Sequence, residues 1–181
     1  MNSDDLVGFA GWEAWSKNAP SQAPQKPGVY VFRLAGGKTF RRLKEESDIV
    51  YIGSTKCSKK GVSTVRQRLR QHLRSREEEI DTGYRIERVQ NEIGSLQVTW
   101  KTFDTHDASQ FHEAELLRRY ARDHIELPPL NRQESGKKVW RAIRRLESLA
   151  SDQRDKILKE FRQGGASTLP ETRHRTQRFS P

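Results

Sequence analysis

Two runs dense in Val, Ile, Tyr and Phe, GVYVFRL from Gly28 and DIVYIGST from Asp48, constrain more than any other feature what this chain can fold into. β-Branched and aromatic residues suit a pleated, half-buried surface, so both runs read as strands of one sheet. The connection from Ala35 to Asp48 is basic and then acidic, too long for a tight turn, and reads as a flap or a pair of extended hairpin arms. SLQVTWKTF, residues 95–103, reads as a third strand. Between the strands the period changes: Ser63 or Thr64 can cap a helix in which Val65, Leu69 and Leu73 form a stripe, expected to reach about Ile80. Asp107 to Ser109 offer cap chemistry for a later helix to about His124, with Phe111, Ala114, Leu117 and Ala121 facing inward and Pro128 and Pro129 as the stop. The pattern predicts an α+β class: a small three-stranded mixed or antiparallel sheet flanked by helices.

On the N-terminal side, Leu6, Phe9, Trp12 and Trp15 recur every three residues, which predicts an amphipathic helix over 5–17 that Pro20, Pro24 and Pro27 end. On the C-terminal side, a polar link after Asn131 leads to a helix with Trp140, Ile143 and Leu146, then a Ser151-capped helix closed by Gly164 and Gly165. From Ala166 the chain is polar and aperiodic, and reads as a disordered basic tail. The organisation expected is an N-terminal helix and linker (1–27), a core domain (28–134) with an insertion at 35–48, a basic helical extension (135–165) and the tail (166–181).

The chain of 181 residues, 33% hydrophobic, can build one modest core. Its net charge of +10 and pI near 10.0 point to a polyanionic partner, nucleic acid before a ribosomal or membrane surface. Eight Lys and Arg and no acidic residue lie between Lys56 and Arg76, and residues 137–181 hold 12 Lys and Arg against 5 Asp and Glu. Lys56, Lys59, Lys60, Arg66 and Arg70 in the first stretch, and Lys137, Lys138, Arg141, Arg144 and Arg145 beside Trp140 in the second, are candidate phosphate contacts. Cys57 is the only cysteine, which excludes an intramolecular disulfide and a thiolate zinc cage. With no basic flank before an apolar run and no stretch near ~20 apolar residues, the expectation is a soluble, intracellular, cytoplasmic protein with no membrane partner.

Tyr30 and Tyr51 fall in neighbouring strands, and Arg68 and His72 are four residues apart on one helical face beside the apolar stripe. Glu113 lies at the edge of the later helix's buried face, and Asn131 follows its end. Taken singly, each has an ordinary reading: packing tyrosines, a solvated arginine, a structural histidine, an exposed glutamate, a turn asparagine. Their order and spacing carry more than their identities.

GVY and YIG strands, then QRLRQHL, then EAELLRRYARD and a closing Asn131 resemble the GIY-YIG nuclease family over about residues 28–131. The resemblance implies phosphodiester hydrolysis, with Tyr30 and Tyr51 as the two tyrosines, Arg68 as the helical arginine, Glu113 as the metal-binding glutamate, Asn131 as the terminal asparagine, and His72 as a histidine found in part of the family. The tyrosines stand 21 residues apart, wider than in the family, so residues 35–48 look inserted. Glu115, two residues on, competes with Glu113 for the carboxylate position. A phosphodiester is a poor electrophile, and hydrolysis needs an activated water, charge neutralisation and help for the leaving oxygen. A single carboxylate implies one divalent cation, Mg²⁺ or Mn²⁺. The expected activity is a DNA endonuclease on duplex or branched DNA, with DNA against RNA left open; one site per chain predicts nicking unless two copies meet as a homodimer. The rivals are a nucleic-acid-binding module that has lost activity on the same scaffold and a structural or ribosome-associated basic protein.

Overall fold

The structure, a computed structural model, describes residues 1–58, 61–74, 81–131, 137, 141 and 144–163, with the backbone alone at 58 and 160–163. A single 3-10 turn, Ser3–Asp5, precedes β1 (Glu13–Ala14) and a one-turn α1 (Ala19–Gln22). β2 (Gly28–Leu34) is followed by a small hairpin, β3 (Phe40–Arg41) with β4 (Glu46–Ser47), and then by β5 (Ile49–Ser54). A second small hairpin joins β6 (Cys57–Ser58) to β7 (Gly61–Val62), and α2 (Val65–Leu73), α3 (Thr82–Glu92), β8 (Leu96–Thr102) and α4 (His106–His124) complete the core.

The fold is α+β, as the alternation of periods predicts, and its sheet is antiparallel throughout in the order β1-β8-β2-β5. β2 is central, paired to β8 from Gly28↔Thr102 to Leu34↔Leu96 and to β5 from Val29↔Ser54 to Phe32↔Tyr51, with a register shift between Phe32 and Arg33. The sheet therefore has a fourth strand beyond the expected three, and β1 comes from the segment expected to be a helix. No helix forms over 5–17 because its aromatic residues serve two different faces: Trp15 enters the core on one side of the sheet, while Phe9 and Trp12 pack against the core on the other. A helical stripe would have put them together. Instead the Ala10 and Trp15 amides donate to Trp100 O and Leu96 O, so the arm runs extended along β8. Pro20 lies inside α1 rather than after a helix.

Alternation along β2 splits the core in two. Tyr30, Phe32 and Leu34 point with Tyr51, Leu96 and Val98 towards α2 and α3, whose Val65, Leu69 and Ile86 cover them. Val29 and Val31 point with Ile49 and Ile52 to the opposite face, where Ala108, Leu116, Leu117 and Tyr120 of α4 lie on them. Phe111 and Ala121, expected at the centre of that face, are only half-buried, and Tyr120 takes the central place. Thr105 caps α4 by accepting from the Ala108 amide, two positions before the first of the expected cap residues, Asp107 to Ser109. α2 begins as expected, with Thr64 accepting from Gln67, but ends at Leu73; residues 75–80, including Ile80, lie outside the described residues. Leu73 is 37% exposed and His72 fills the third stripe position. α3, capped by Asp81, falls in a segment with no helical expectation.

Residues 35–48 form the β3–β4 hairpin, as the hairpin-arm reading has it. Towards the C-terminus residues 144–148 are helical, and α5 (Ser151–Gln163) buries Ile157 against the α4 side together with Leu146 and Leu149. Trp140, Ile143, Gly164, Gly165 and the tail 166–181 lie outside the described residues. Among the described residues no helix is long and apolar enough to cross a membrane.

Candidate active site

Tyr30 sits opposite Gly53 in the β2–β5 register and Phe32 opposite Tyr51, so the two tyrosines are diagonal neighbours on the α2 face, ring centroids 6.1 Å apart. Gly53 is what allows this approach. A Cβ there would lie 2.7 Å from Tyr51 Cε1 and 2.8 Å from both Cζ and the hydroxyl oxygen of Tyr30, closer than real side chains come. At Gly28 a Cβ would lie 2.4 Å from Lys101 O and 2.7 Å from Val65 Cγ2, so this glycine lets α2 close against the start of β2. The two motif glycines thus serve one purpose: they bring α2 and the phenols into reach of each other.

α2 supplies the next two groups. His72 is buried, and its Nε2 lies 2.9 Å from the Tyr30 hydroxyl. Burial first, then the charges of Arg68 and Lys56, hold His72 down to a pKa of about 3. The ring is neutral at physiological pH, and with the proton on Nδ1 its Nε2 accepts from the Tyr30 O–H. Burial raises the Tyr30 pKa, with Arg68 opposing through charge and a hydrogen bond and Glu113 adding to the rise. Burial raises Tyr51 well above the ordinary value, helped by Tyr30 and Glu113. Both phenols are protonated. Arg68 is half-buried one turn before His72; burial opposes its charge, but Tyr30, Tyr51 and Glu113 outweigh that and raise its pKa. It donates through Nη1 to Gln71 Oε1, while its Nε is buried with no hydrogen-bond partner among the described residues.

Glu113 comes from the other side of the sheet. It is buried on α4 and accepts from Ser54 Oγ through Oε2 at 2.6 Å, which fixes it at the end of β5 just past Gly53. Glu115, the rival position, is turned away and holds Arg118 at 2.8 Å and Arg119 at 3.2 Å. Asn131 lies behind the strand: its side chain accepts from the Ile52 amide at 3.0 Å and donates to Ile52 O at 2.8 Å, as a neighbouring strand would. Leu130 N donates to Val50 O, and Arg85 of α3 holds the Pro129 and Leu130 carbonyls. Asn131 therefore positions β5 from its outer edge.

Tyr30, Tyr51, Arg68, His72 and Glu113 are brought together, with two phenols, a cation and a neutral imidazole on one side of the Gly53–Ser54 backbone and a carboxylate on the other. Sequence reasoning gave no role to Ser54, Gln71 or Gly53. The alternation of β5 places Ser54 on the Glu113 face, which is the one signal present; the i, i+3 spacing of Arg68 and Gln71 is the same as that of any solvated polar pair on a helix. Glu113 Oε1 accepts no hydrogen bond from the described residues, its charge acts on Tyr30, Tyr51 and Arg68, and one open oxygen of a buried carboxylate fits a hard divalent cation completed by water. Among the described residues no group of three or more His, Cys, Asp or Glu gathers at this site or at any other, so Glu113 is the one carboxylate the site offers a cation.

Of the basic candidates, Arg70 lines a groove of about 410 Å³ between the β6–β7 hairpin and α2, with Gln67, Gln71 and Arg74. Lys56 is exposed at the entry to β6, its amide donating to Ser63 Oγ. Arg66 is half-buried and donates to Ala23 O, so part of its capacity is spent within the fold. Lys137, Arg141 and Arg144 are exposed, whereas Arg145 pairs with Asp107 at 2.9 Å in the first turn of α4. Lys59, Lys60 and Lys138 lie outside the described residues. The chain matches no family model, no curated protein and no solved structure.

Proposed function

We propose that this chain is a metal-dependent DNA endonuclease of the GIY-YIG type. The observation that carries the reading is the meeting of Tyr30, Tyr51, Arg68, His72 and Glu113 at Gly53, from elements 83 residues apart in sequence. A packing role does not call for a buried carboxylate and a half-buried guanidinium beside two protonated phenols; stabilising a phosphorane-like transition state does.

Arg68, with a buried Nε still to be satisfied, binds a non-bridging oxygen of the scissile phosphate and neutralises charge as it grows. Tyr51 orients the attacking water or the phosphate. Tyr30 takes a proton from that water as its own passes to His72 Nε2, so a phenol with a raised pKa need never become phenolate. His72 accepts poorly in the free protein, and pairing Arg68 with phosphate weakens one of the charges that depress it. Glu113 would hold Mg²⁺ or Mn²⁺, which polarises the phosphate and assists the departing oxygen. The basic face of α2 and the exposed Lys137, Arg141 and Arg144 suit phosphate contacts, and a homodimer is the route to double-strand cleavage.

The test is cleavage of supercoiled plasmid and branched oligonucleotides with Mg²⁺, Mn²⁺ or EDTA, for wild type, Arg68→Ala and Glu113→Gln. Nicking that needs the cation and is lost in both variants is the expected result. Salt-sensitive binding, equal in all three proteins and without cleavage, would leave an inactive nucleic-acid-binding module as the better reading.

A further inference from the structure

The β3–β4 hairpin carries a tip that its own folding does not require. The Arg42 amide donates to Glu45 O at 2.9 Å, closing a turn whose two central residues are Leu43 and Lys44. Turns are dominated by Gly, Pro, Asn, Asp and Ser. Here a large apolar side chain stands 75% exposed next to an exposed lysine. The tip is also firmly backed. Arg42 lies 2.7 Å from Glu126 Oε2 and donates to Leu127 O, and the Leu43 amide donates to Glu126 Oε1. At the hairpin base Lys38 reaches Ile93 O and Thr39 donates to Glu46. Holding an exposed leucine this rigidly favours a contact that needs a stiff apolar probe.

The hairpin and the candidate active site stand at opposite ends of one sheet edge. Residues 127–131 run along the outside of β5, from Leu127 at Arg42, past Leu130 at Val50, to Asn131 on Ile52 and so to Ser54 and Glu113. Seven strand steps from Ser47, at the hairpin base, to Ser54 span about 23 Å, and the stretch from Glu113 to Glu126, which holds the Leu43 amide at the tip, spans about 20 Å at helical rise. At 3.4 Å per step of duplex, these lengths correspond to about six to seven base pairs.

We propose that the Leu43–Lys44 tip is a second contact on duplex nucleic acid, about six to seven base pairs from the cut, with Lys44 on a phosphate and Leu43 wedged against a base step. The proposal rests on the nuclease reading above and adds to it a role for residues 35–48. The experiment uses the full chain as wild type, Leu43→Ala and Lys44→Ala, on duplexes carrying 2-aminopurine at successive positions around the mapped cut. Wild type should raise the fluorescence at one position about six to seven base pairs away. Leu43→Ala should abolish that rise and weaken binding roughly tenfold, and Lys44→Ala should keep the rise but lower the salt slope of binding by about 0.9. If wild type binds and cuts while both variants match it in affinity, salt slope and fluorescence, the tip is not a contact and the nuclease reading stands. If wild type binds no nucleic acid, both fall.

Discussion

The Tyr30 hydroxyl lies 2.9 Å from His72 Nε2, joining a central strand to the helix that covers it through two buried groups. A neutral histidine in that position couples acid stability to the candidate chemistry. His72 and His112 are both held by burial to a pKa of about 3, against about 6.5 in an unfolded chain. With folded values depressed, the unfolded chain takes up protons first as pH falls. The stability linked to each site is therefore complete above about pH 6.5 and declines towards pH 3, by up to about 1.4 kcal/mol per pH unit per histidine. Urea unfolding at several pH values checks this: His72→Gln and His112→Gln should each flatten the acid slope. Slopes identical to wild type would mean that neither ring is buried neutral.

Gly53→Ala should separate activity from folding. The added Cβ meets the Tyr51 and Tyr30 rings at 2.7 and 2.8 Å, so the rings must shift. Overpacking of this kind costs about 1–3 kcal/mol, and a displacement near 1 Å at a reacting group costs roughly 100-fold in rate. Circular dichroism and thermal melting should report a folded protein whose cleavage has collapsed. Full activity would show that the close approach of the phenols is not needed.

Glu113 and Glu115 should behave differently. Glu113→Gln keeps a partner for Ser54 but removes the negative charge, and cation-dependent cleavage should disappear. Glu115→Gln loses only ion pairs to half-exposed or exposed arginines, worth about 1 kcal/mol or less, and should cut like wild type. The reverse outcome would move the carboxylate role to Glu115.

Asn131→Ala removes two hydrogen bonds to the Ile52 backbone. The loss should be about 1–3 kcal/mol, with faster hydrogen exchange at the Ile52 amide before any other position of β5. Unchanged exchange there would remove the clamp from the account of the site.

Much of the fold is legible in the sequence. The start of α2 at Thr64, the three long strands and the spacing of Arg68 and His72 follow from local chemistry, because capping and alternation act over a few residues. Residues 5–17 misled because Leu6, Phe9, Trp12 and Trp15 have helical spacing, yet pairing with β8 and two separate cores decided their conformation. α3 escaped notice because Thr82 and Gly83 are weak helix formers; Gly83 is there for close packing, since its Cβ would lie 2.5 Å from His72 O. The candidate residues were recognisable as types in order, whereas Ser54 and Gln71 gained meaning only from what tertiary structure set beside them.

β8 is accompanied on its outer side by the N-terminal arm, bonded at Leu96, Val98 and Trp100, and β5 by Leu130 and Asn131, bonded at Val50 and Ile52. Among the described residues neither border of the sheet offers a continuous row of vacant amides and carbonyls to a passing strand. The fold is thereby guarded against edge-to-edge fibril growth, and the guard at one border is the same asparagine that steadies the strand bearing Tyr51.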